Sequence, residues 1–350
     1  MDLAVVIVSY NVKDLLYPCL ESLFARLAGA PALAAEVWVV DNASSDGSAA
    51  MVAAEFPSVC LLASPKNLGY SAGNNLALQA LGFAPLGDEA RPLSAYPWAA
   101  DVPRSNNQPR HVWLLNPDTV VQEDAPAQLV RFVDQTPRAA ACGAQLFYPD
   151  GSLQQGAFRF PDLAQLVLDF FPPPGRLNQP LLDSRLNGRY PGRLYEQGQP
   201  FTVDFVLGAT LLVRSEALHQ VGLLDEGYFM YCEEMDWQRR AQRAGWSIHC
   251  VPAARVTHVA GASSSQFRSR SFTALWQSRL RYFQRYHGPQ FNRAAAALLR
   301  AGLRAEARRA RQQAPDDLTQ RLAAYAEVKQ MTLGGKGAGS DADERRGTQI

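Results

Sequence analysis

Short apolar runs alternate with helix-periodic segments along the first third of the chain, and few folds accept that order. Leu3-Ala4-Val5-Val6-Ile7-Val8 is continuous and uncharged, as expected of a strand buried on both faces. Leu15, Leu16, Cys19, Leu20, Leu23, Phe24 and Leu27 then recur at helical spacing, with Asn11 able to cap the helix. Glu36 to Val40 predicts a second strand ending at Asp41, Ser48 to Phe56 a short helix, and Val59 to Ala63 a third strand. Ser71 to Leu81 predicts another helix and Val112 to Leu115 a fourth strand. A βαβαβαβ order implies a Rossmann-like, mostly parallel sheet with helices on both faces.

The pattern breaks between 83 and 110. Pro85, Pro92, Pro97, Pro103 and Pro109 sit there without periodicity, which reads as a long surface insertion, more readily mobile than a lid. Beyond it come a helix (Ala125 to Gln135), a strand (Ala139 to Tyr148) and a turn at Pro149-Asp150-Gly151. The Pro-, Gly- and Arg-rich stretch from Phe170 to Gln199 reads as irregular. Phe201 to Val213 resembles a strand broken at Gly208, and Glu233 to Ala244 a helix stopped by Gly245. Val251 to Val259 is extended again and ends near His258. We expect an α/β domain over 1–265, a basic helical extension over 266–330 and a disordered tail over 331–350.

Charge narrows the function classes. Lys+Arg number 34 against 33 Asp+Glu, for a net charge of +1, so a dedicated nucleic-acid binder is not expected. The five cysteines include no CxxC pair, which suits buried thiols in a reducing cytosol better than a disulfide framework or a zinc knuckle. The N-terminus lacks the basic region and cleavage site of a signal peptide, and no apolar stretch reaches the roughly 20 residues that span a bilayer. A cytoplasmic protein, soluble or resting on a membrane surface, is expected. Positive charge gathers late: from Arg255 to Gln313 twelve arginines oppose Glu306 alone. Trp276, Leu280, Phe283 and Tyr286 recur there among Arg279, Arg281 and Arg285. That pattern suits a packed helix with a solvated Arg face, or a surface that docks on anionic lipid.

Polar residues collect where the predicted strands end: Ser9-Tyr10-Asn11, Asp41-Asn42-Ala43-Ser44 and Asn116-Pro117-Asp118. Open α/β sheets bind ligands at those ends, although any one such cluster is also what a turn needs. Asp118 could hold a divalent cation that neutralises a diphosphate leaving group. The segment Phe229 to Trp237 places Glu233, Glu234 and Asp236 at a helix start. There the helix dipole favours acids, and a carboxylate can serve as general base. His258, at a strand end, is a candidate partner for Asp118. Asn67 to Asn75 is a Gly/Asn-rich turn entering a helix, suited to phosphate or sugar hydroxyls, or simply to capping.

Together these stretches resemble the large inverting glycosyltransferase family 2, with its GT-A fold, and its rhamnosyltransferase-like branch most of all. The match runs in family order over about residues 1 to 287 outside the insertion. It includes Val6 to Asn11, Val39 to Gly47, Asn67 to Asn75, Leu114 to Thr119, Gly208-Ala209, Leu211 to Val213, Gly222 to Glu226, Tyr231 to Trp237 and His258. The resemblance implies a nucleotide-sugar donor held by Val8, Ser9, Tyr10, Asn11, Asp41, Asn42 and Ser44. Asp41 would accept from the N–H of a uracil or thymine. Asn67, Gly69, Tyr70, Gly73, Asn74, Asn116 and Asp118 would border the ribose and diphosphate. It implies Asp118 as the acid ending the family's DxD motif, with His258 completing a Mg²⁺ or Mn²⁺ site. Asn116 replaces the motif's first Asp and removes one anionic ligand. Glu234 aligns with the catalytic base, with Glu233 and Asp236 as fallbacks and Gly208 and Trp237 in support. The acceptor implied is a hydroxyl of a glycan or of a polyprenyl-diphosphate-linked glycan. A non-catalytic nucleotide-sugar binder of the same fold is the alternative. A sugar nucleotidyltransferase fits poorly, because Ser9 to Lys13 is not its Gly-rich basic loop.

Overall fold

The computed structural model describes residues 1–100, 102–105, 107–259 and 268–333. The chain divides into two compact units. The first comprises Met1–Phe160, Tyr190–Phe229 and Glu233–Ser263; the second takes Pro161–Arg189, Met230–Cys232 and the chain from Ser264 onward.

Along the chain run β1 (Leu3–Ser9), α1 (Lys13–Ala28), β2 (Ala35–Asp41), α2 (Ser48–Glu55), β3 (Cys60–Ala63) and α3 (Gly69–Ala80). Next come β4 (His111–Leu115), β5 (Thr119–Val121), α4 (Ala125–Gln135), β6 (Ala139–Phe147), β7 (Leu153–Gln154) and β8 (Ala157–Phe158). Then follow α5 (Leu163–Phe170), α6 (Asn178–Leu182), α7 (Gly192–Glu196), β9 (Phe201–Val203), β10 (Phe205–Val206), β11 (Thr210–Arg214) and α8 (Ser215–Val221). The chain continues through α9 (Glu233–Arg243), β12 (Ser247–His258), α10 (Arg268–Tyr286), α11 (Pro289–Gln313) and α12 (Leu318–Met331).

The main sheet of the first unit has the order β3-β2-β1-β4-β11-β6-β12-β5. β3, β2, β1 and β4 are parallel, as the alternation requires. β11 enters antiparallel between β4 and β6, and β5 lies antiparallel to β12, so the complete sheet is mixed. All seven residues of β1 are buried. On α1 the buried positions are Leu16, Cys19, Leu20 and Leu23, the stripe that its spacing predicts. Each such aliphatic contributes roughly 1.5–3 kcal/mol by leaving water. The register sets Ser9 beside Asp41 and Asp41 beside Ala63, so the strands end level and their polar residues share one edge.

Three expectations change. Asn11 does not cap α1; the amide of Lys13 is met by Asp46 Oδ2 at 2.8 Å, from the loop after β2. The 83–110 segment is not a loose surface insertion. Ala90, Leu93, Tyr96 and Ala99 enter the core, two short 3-10 turns form, and Gln79 of α3 bonds Arg91 O and Leu93 N. Apolar side chains spaced without period can still anchor a loop once a neighbouring helix satisfies its backbone. The 170–199 stretch carries α6 and α7 and buries Tyr190 and Tyr195 rather than staying irregular. Residues 101 and 106 of the insertion, Ala260 and Gly261 beyond His258, and the tail from 334 lie outside the described residues.

In the second unit Phe170 of α5 stacks on Trp276 of α10 at 5.3 Å, and Gly302 of α11 sits against the Phe170 ring. A Cβ at Gly302 would fall 2.2 Å from that ring, so only glycine fits. Of the stripe read from the sequence, Trp276 and Phe283 of α10 are buried, with Tyr282 beside them, while Leu280 and Tyr286 are half-buried.

Candidate active site

The ends of β1 and β2 are tied by their own polar groups. Asn11, with φ 52, donates its N–H to Ser44 Oγ at 3.0 Å and accepts from Ser45 N at 2.7 Å. Ser44 N donates to Asp41 Oδ2 at 3.0 Å. Asp41 is buried, yet among the described residues its Oδ1 has no partner, nor does Ser9 Oγ beside it. A buried carboxylate oxygen without a donor is costly, and one N–H arriving from a ligand would satisfy it. Tyr10 is half-buried at the same edge.

Asn42 faces the next loop, donating to Gly69 O at 3.0 Å and accepting from Leu68 N at 3.3 Å. Asn67 Oδ1 accepts from Gly69 N at 2.9 Å. Gly69 has φ +83, and a Cβ there would lie 2.4 Å from Phe229 O. Gly73 lets α3 approach Val8, where a Cβ would stand 2.9 Å from that side chain. Asn42, Asn67, Gly69 and Gly73 therefore shape the loop, while Asn74 Oδ1 is buried without a partner among the described residues.

The structure brings Asp118 and His258 together. β12 runs antiparallel to β5, pairing His258 with Thr119, and His258 Nε2 lies 3.3 Å from Asp118 Oδ1. His258 Nδ1 meets Gln154 Oε1 at 2.8 Å. With Nδ1–H given to Gln154, Nε2 turns its lone pair toward the carboxylate, so two acceptors face each other. A cation, or a proton on Nε2, satisfies that contact. The Asn116 amide flanks it, its Nδ2 at 3.5 Å from Nε2. One carboxylate, one imidazole and one amide suit a divalent cation that takes its remaining oxygens from a diphosphate and water. Among the described residues no group of three or more His, Cys, Asp or Glu forms a complete metal cage.

The first turn of α9 supplies the acids. Tyr231 (φ 71) and Cys232 (φ 67) precede it, two successive side-chain-bearing residues in the left-handed region. Each costs on the order of 1–3 kcal/mol, a strain that recurs at functional sites. Glu233 Oε2 and Glu234 Oε2 are both buried without partners among the described residues. Burial pushes the Glu233 carboxyl well above its ordinary range, with the charge of Glu234 adding to it. Burial also raises Glu234, opposed by backbone N–H groups that include Gly208. Asp236 differs: Arg240 Nε donates to its Oδ2 at 2.9 Å and Tyr228 Oη–H approaches its Oδ1 at 3.4 Å. Trp237 Nε1 donates to Gly222 O at 2.8 Å. Tyr70 donates its hydroxyl to Gly208 O at 3.0 Å. Burial, then the charges of Glu233, Glu234 and Asp118, push its phenol up. A Cβ at Gly208 would lie 3.4 Å from Tyr70 Oη and 3.6 Å from Glu234 Cβ, and the next residue, Ala209, accepts at its carbonyl from Asn116 N at 3.0 Å.

Sequence reasoning missed Gln154, which orients His258, and Gln238, which donates to Val206 O at 2.8 Å and Glu234 O at 2.9 Å. Neither stands in a motif. Gln154 lies on a two-residue strand, and only the spacing of Gln238 one helical turn after Glu234 hinted at its contact.

Comparison with known proteins bears on this site. The family model described as "Glycosyltransferase like family 2" matches residues 2–283. N-acetylglucosaminyl-diphospho-decaprenol L-rhamnosyltransferase of Mycobacterium tuberculosis is 31% identical over 262 residues, 73% of this chain and 75% of its own. Rhamnosyltransferase WbbL of Escherichia coli is 29% identical over 177 residues, 50% of this chain and 62% of its own. The solved structure of mannosyltransferase PcManGT from Pyrobaculum calidifontis, in complex with GDP-Man and Mn²⁺, aligns with TM-score 0.51 and 16% identity. It covers 96% of this chain and 88% of that one, a likeness of fold alone.

Proposed function

The chain belongs to the glycosyltransferase like family 2 and has its GT-A fold, and from that premise we propose that it is an inverting hexosyltransferase. The donor is a dTDP- or UDP-sugar, rhamnose or another hexose. The acceptor is a hydroxyl of a glycan or of a polyprenyl-diphosphate-linked glycan. The names of both rhamnosyltransferase relatives support the sugar, and that of the Mycobacterium tuberculosis relative supports the lipid-linked acceptor. The observation that carries the reading is the cluster at Gly208-Ala209: Tyr70 and Glu234, whose Oε2 has no partner among the described residues, lie against Gly208, and Asn116, two residues before the His258-paired Asp118, donates its N–H to Ala209 O.

Asp41 Oδ1 accepts the N–H of the pyrimidine base, and Ser9 and Asn11 border the nucleoside. Asp118 and His258, with Asn116 beside them, would hold Mg²⁺ or Mn²⁺; when bound, the ion neutralises the departing diphosphate. Glu234 Oε2 takes the proton of the acceptor hydroxyl. The freed oxygen bonds to the anomeric carbon as the bond from that carbon to the diphosphate oxygen breaks, inverting the centre in one displacement. Glu233 beside it raises the basicity of the pair, since two buried carboxylates resist sharing negative charge. Among the described residues no helix is long and apolar enough to cross a membrane. A cytoplasmic enzyme resting on the inner membrane face fits a lipid-linked acceptor and places the protein in surface-polysaccharide or cell-wall assembly.

A thermal-shift panel with dTDP, UDP, GDP and CMP, each with and without Mg²⁺ or Mn²⁺, tests the donor half without an acceptor. A shift with dTDP or UDP that metal enhances, and that loses the enhancement in Asp118→Ala, is the expected result. No shift with any nucleotide would remove the proposal.

A further inference from the structure

One face of α11 in the second unit carries a row of arginines. At about 100° per residue, Arg293, Arg300, Arg304, Arg308 and Arg311 fall within an arc of about 80° and span about 27 Å of helix. The buried residues Ala295, Leu299, Gly302, Leu303 and Ala310 lie on the opposite side. Arg293, Arg304, Arg308 and Arg311 are exposed. Arg300 is half-buried and donates to Thr332 O, and Arg293 Nε donates to Pro289 O. Among the described residues no carboxylate pairs with Arg304, Arg308 or Arg311. Glu306, the helix's one acid, points away from the stripe and pairs with Arg309.

We propose that this stripe docks the enzyme on an anionic phospholipid surface by charge alone. The lipid-linked acceptor of the function proposed above supplies its purpose, but the binding itself does not depend on that reading. A straight row of guanidinium groups complements a plane of phosphate headgroups. Between the arginines the exposed residues are small, Ala297 and Ala301, so no apolar wedge enters the acyl layer. Nucleic acid suits the surface less. Trp276, Tyr282 and Phe283 of α10 are buried, Phe272 and Tyr286 are half-buried against Tyr325 and Tyr282, and Phe291, the aromatic of α11, is stacked on His287 at 3.8 Å.

Flotation of the full chain with vesicles of phosphatidylcholine, alone or mixed with phosphatidylglycerol, tests this. The expected result is binding to the mixed vesicles only, with release by salt. The triple variant R304Q/R308Q/R311Q should lose roughly a hundredfold in partitioning at an unchanged melting temperature, and R304K/R308K/R311K should keep it. Should the glutamine triple melt early, R308Q alone reads the same effect at about fivefold. Binding to both vesicle types or to neither, equal binding by the glutamine variants, or tighter binding to a DNA duplex at equal salt would overturn the proposal. Nucleotide thermal shifts on the same preparations report the donor site separately, so either reading can fail without the other.

Discussion

The first turn of α9 has two sides built from the same kind of residue, and they are put to opposite uses. On one side Asp236 is fully buried, with Arg240 on one oxygen and Tyr228 on the other, while Arg240 also donates to Val221 O and Leu223 O. On the other side Glu233 and Glu234 each bury an oxygen with no partner among the described residues. A partnered carboxylate holds shape, because its charge is already compensated. An unpartnered one is held away from its preferred state and gains most when it takes up a proton. Position on the helix does not separate the two uses; what each carboxylate faces does.

Removing the proposed base should have the largest effect. Glu234→Gln keeps the shape and loses the proton acceptor, so transfer should fall about 10²–10⁴-fold while donor-nucleotide binding is retained. Turnover near that of the wild type would place the base elsewhere, with Glu233 next to test. Asp236→Ala should act on folding instead. It strands Arg240 among backbone carbonyls without its counter-charge, at a cost of about 3–5 kcal/mol in urea unfolding. If Asp236→Ala left stability unchanged and abolished transfer, the contrast between the two sides would be reversed.

The subtlest effect is in pH. Burial raises both Glu233 and Glu234 above the ordinary glutamate value of 4.5. Between that value and the raised one, the folded protein keeps a proton that the unfolded chain gives up. Their contribution to stability is therefore fully present below the ordinary value and is lost as pH rises through the raised one. Transfer should run the other way, rising with pH as Glu234 loses its proton. Melting temperatures and single-turnover rates across mildly acidic pH check both slopes. Glu234→Gln should flatten the stability slope, and an unchanged slope would assign it to other groups.

The strand ends were legible because a buried strand must stop where polar residues begin, and parallel strands bring those stops to one edge. Ser9, Asp41 and Asp118 could be grouped from the linear order alone, and so could the acids that open α9. The partnership of Asp118 with His258 was permitted by residue type, but the antiparallel register of β12 on β5 is what sets them 3.3 Å apart. Gln154 had no such signal. It matters only because β7 pairs with β6 and carries its side chain to the imidazole. The proline-rich insertion misled because proline marks where regular structure stops, and says nothing of whether the loop beyond it packs.

By itself the sequence determined the alternation of strands and helices, the edge where polar groups gather, the family and the excess of positive charge near the C-terminus. These follow from local chemistry: periodicity, turn residues and short motifs are properties of neighbours along the chain. Only the tertiary structure decided which buried polar atoms find partners. It paired Asp236, left Glu234 Oε2 and Asp41 Oδ1 without a partner among the described residues, buried Trp276, Tyr282 and Phe283 of α10 and exposed Arg293, Arg304, Arg308 and Arg311 of α11. A side chain's free energy depends on the groups packed against it, and those groups arrive from distant parts of the chain.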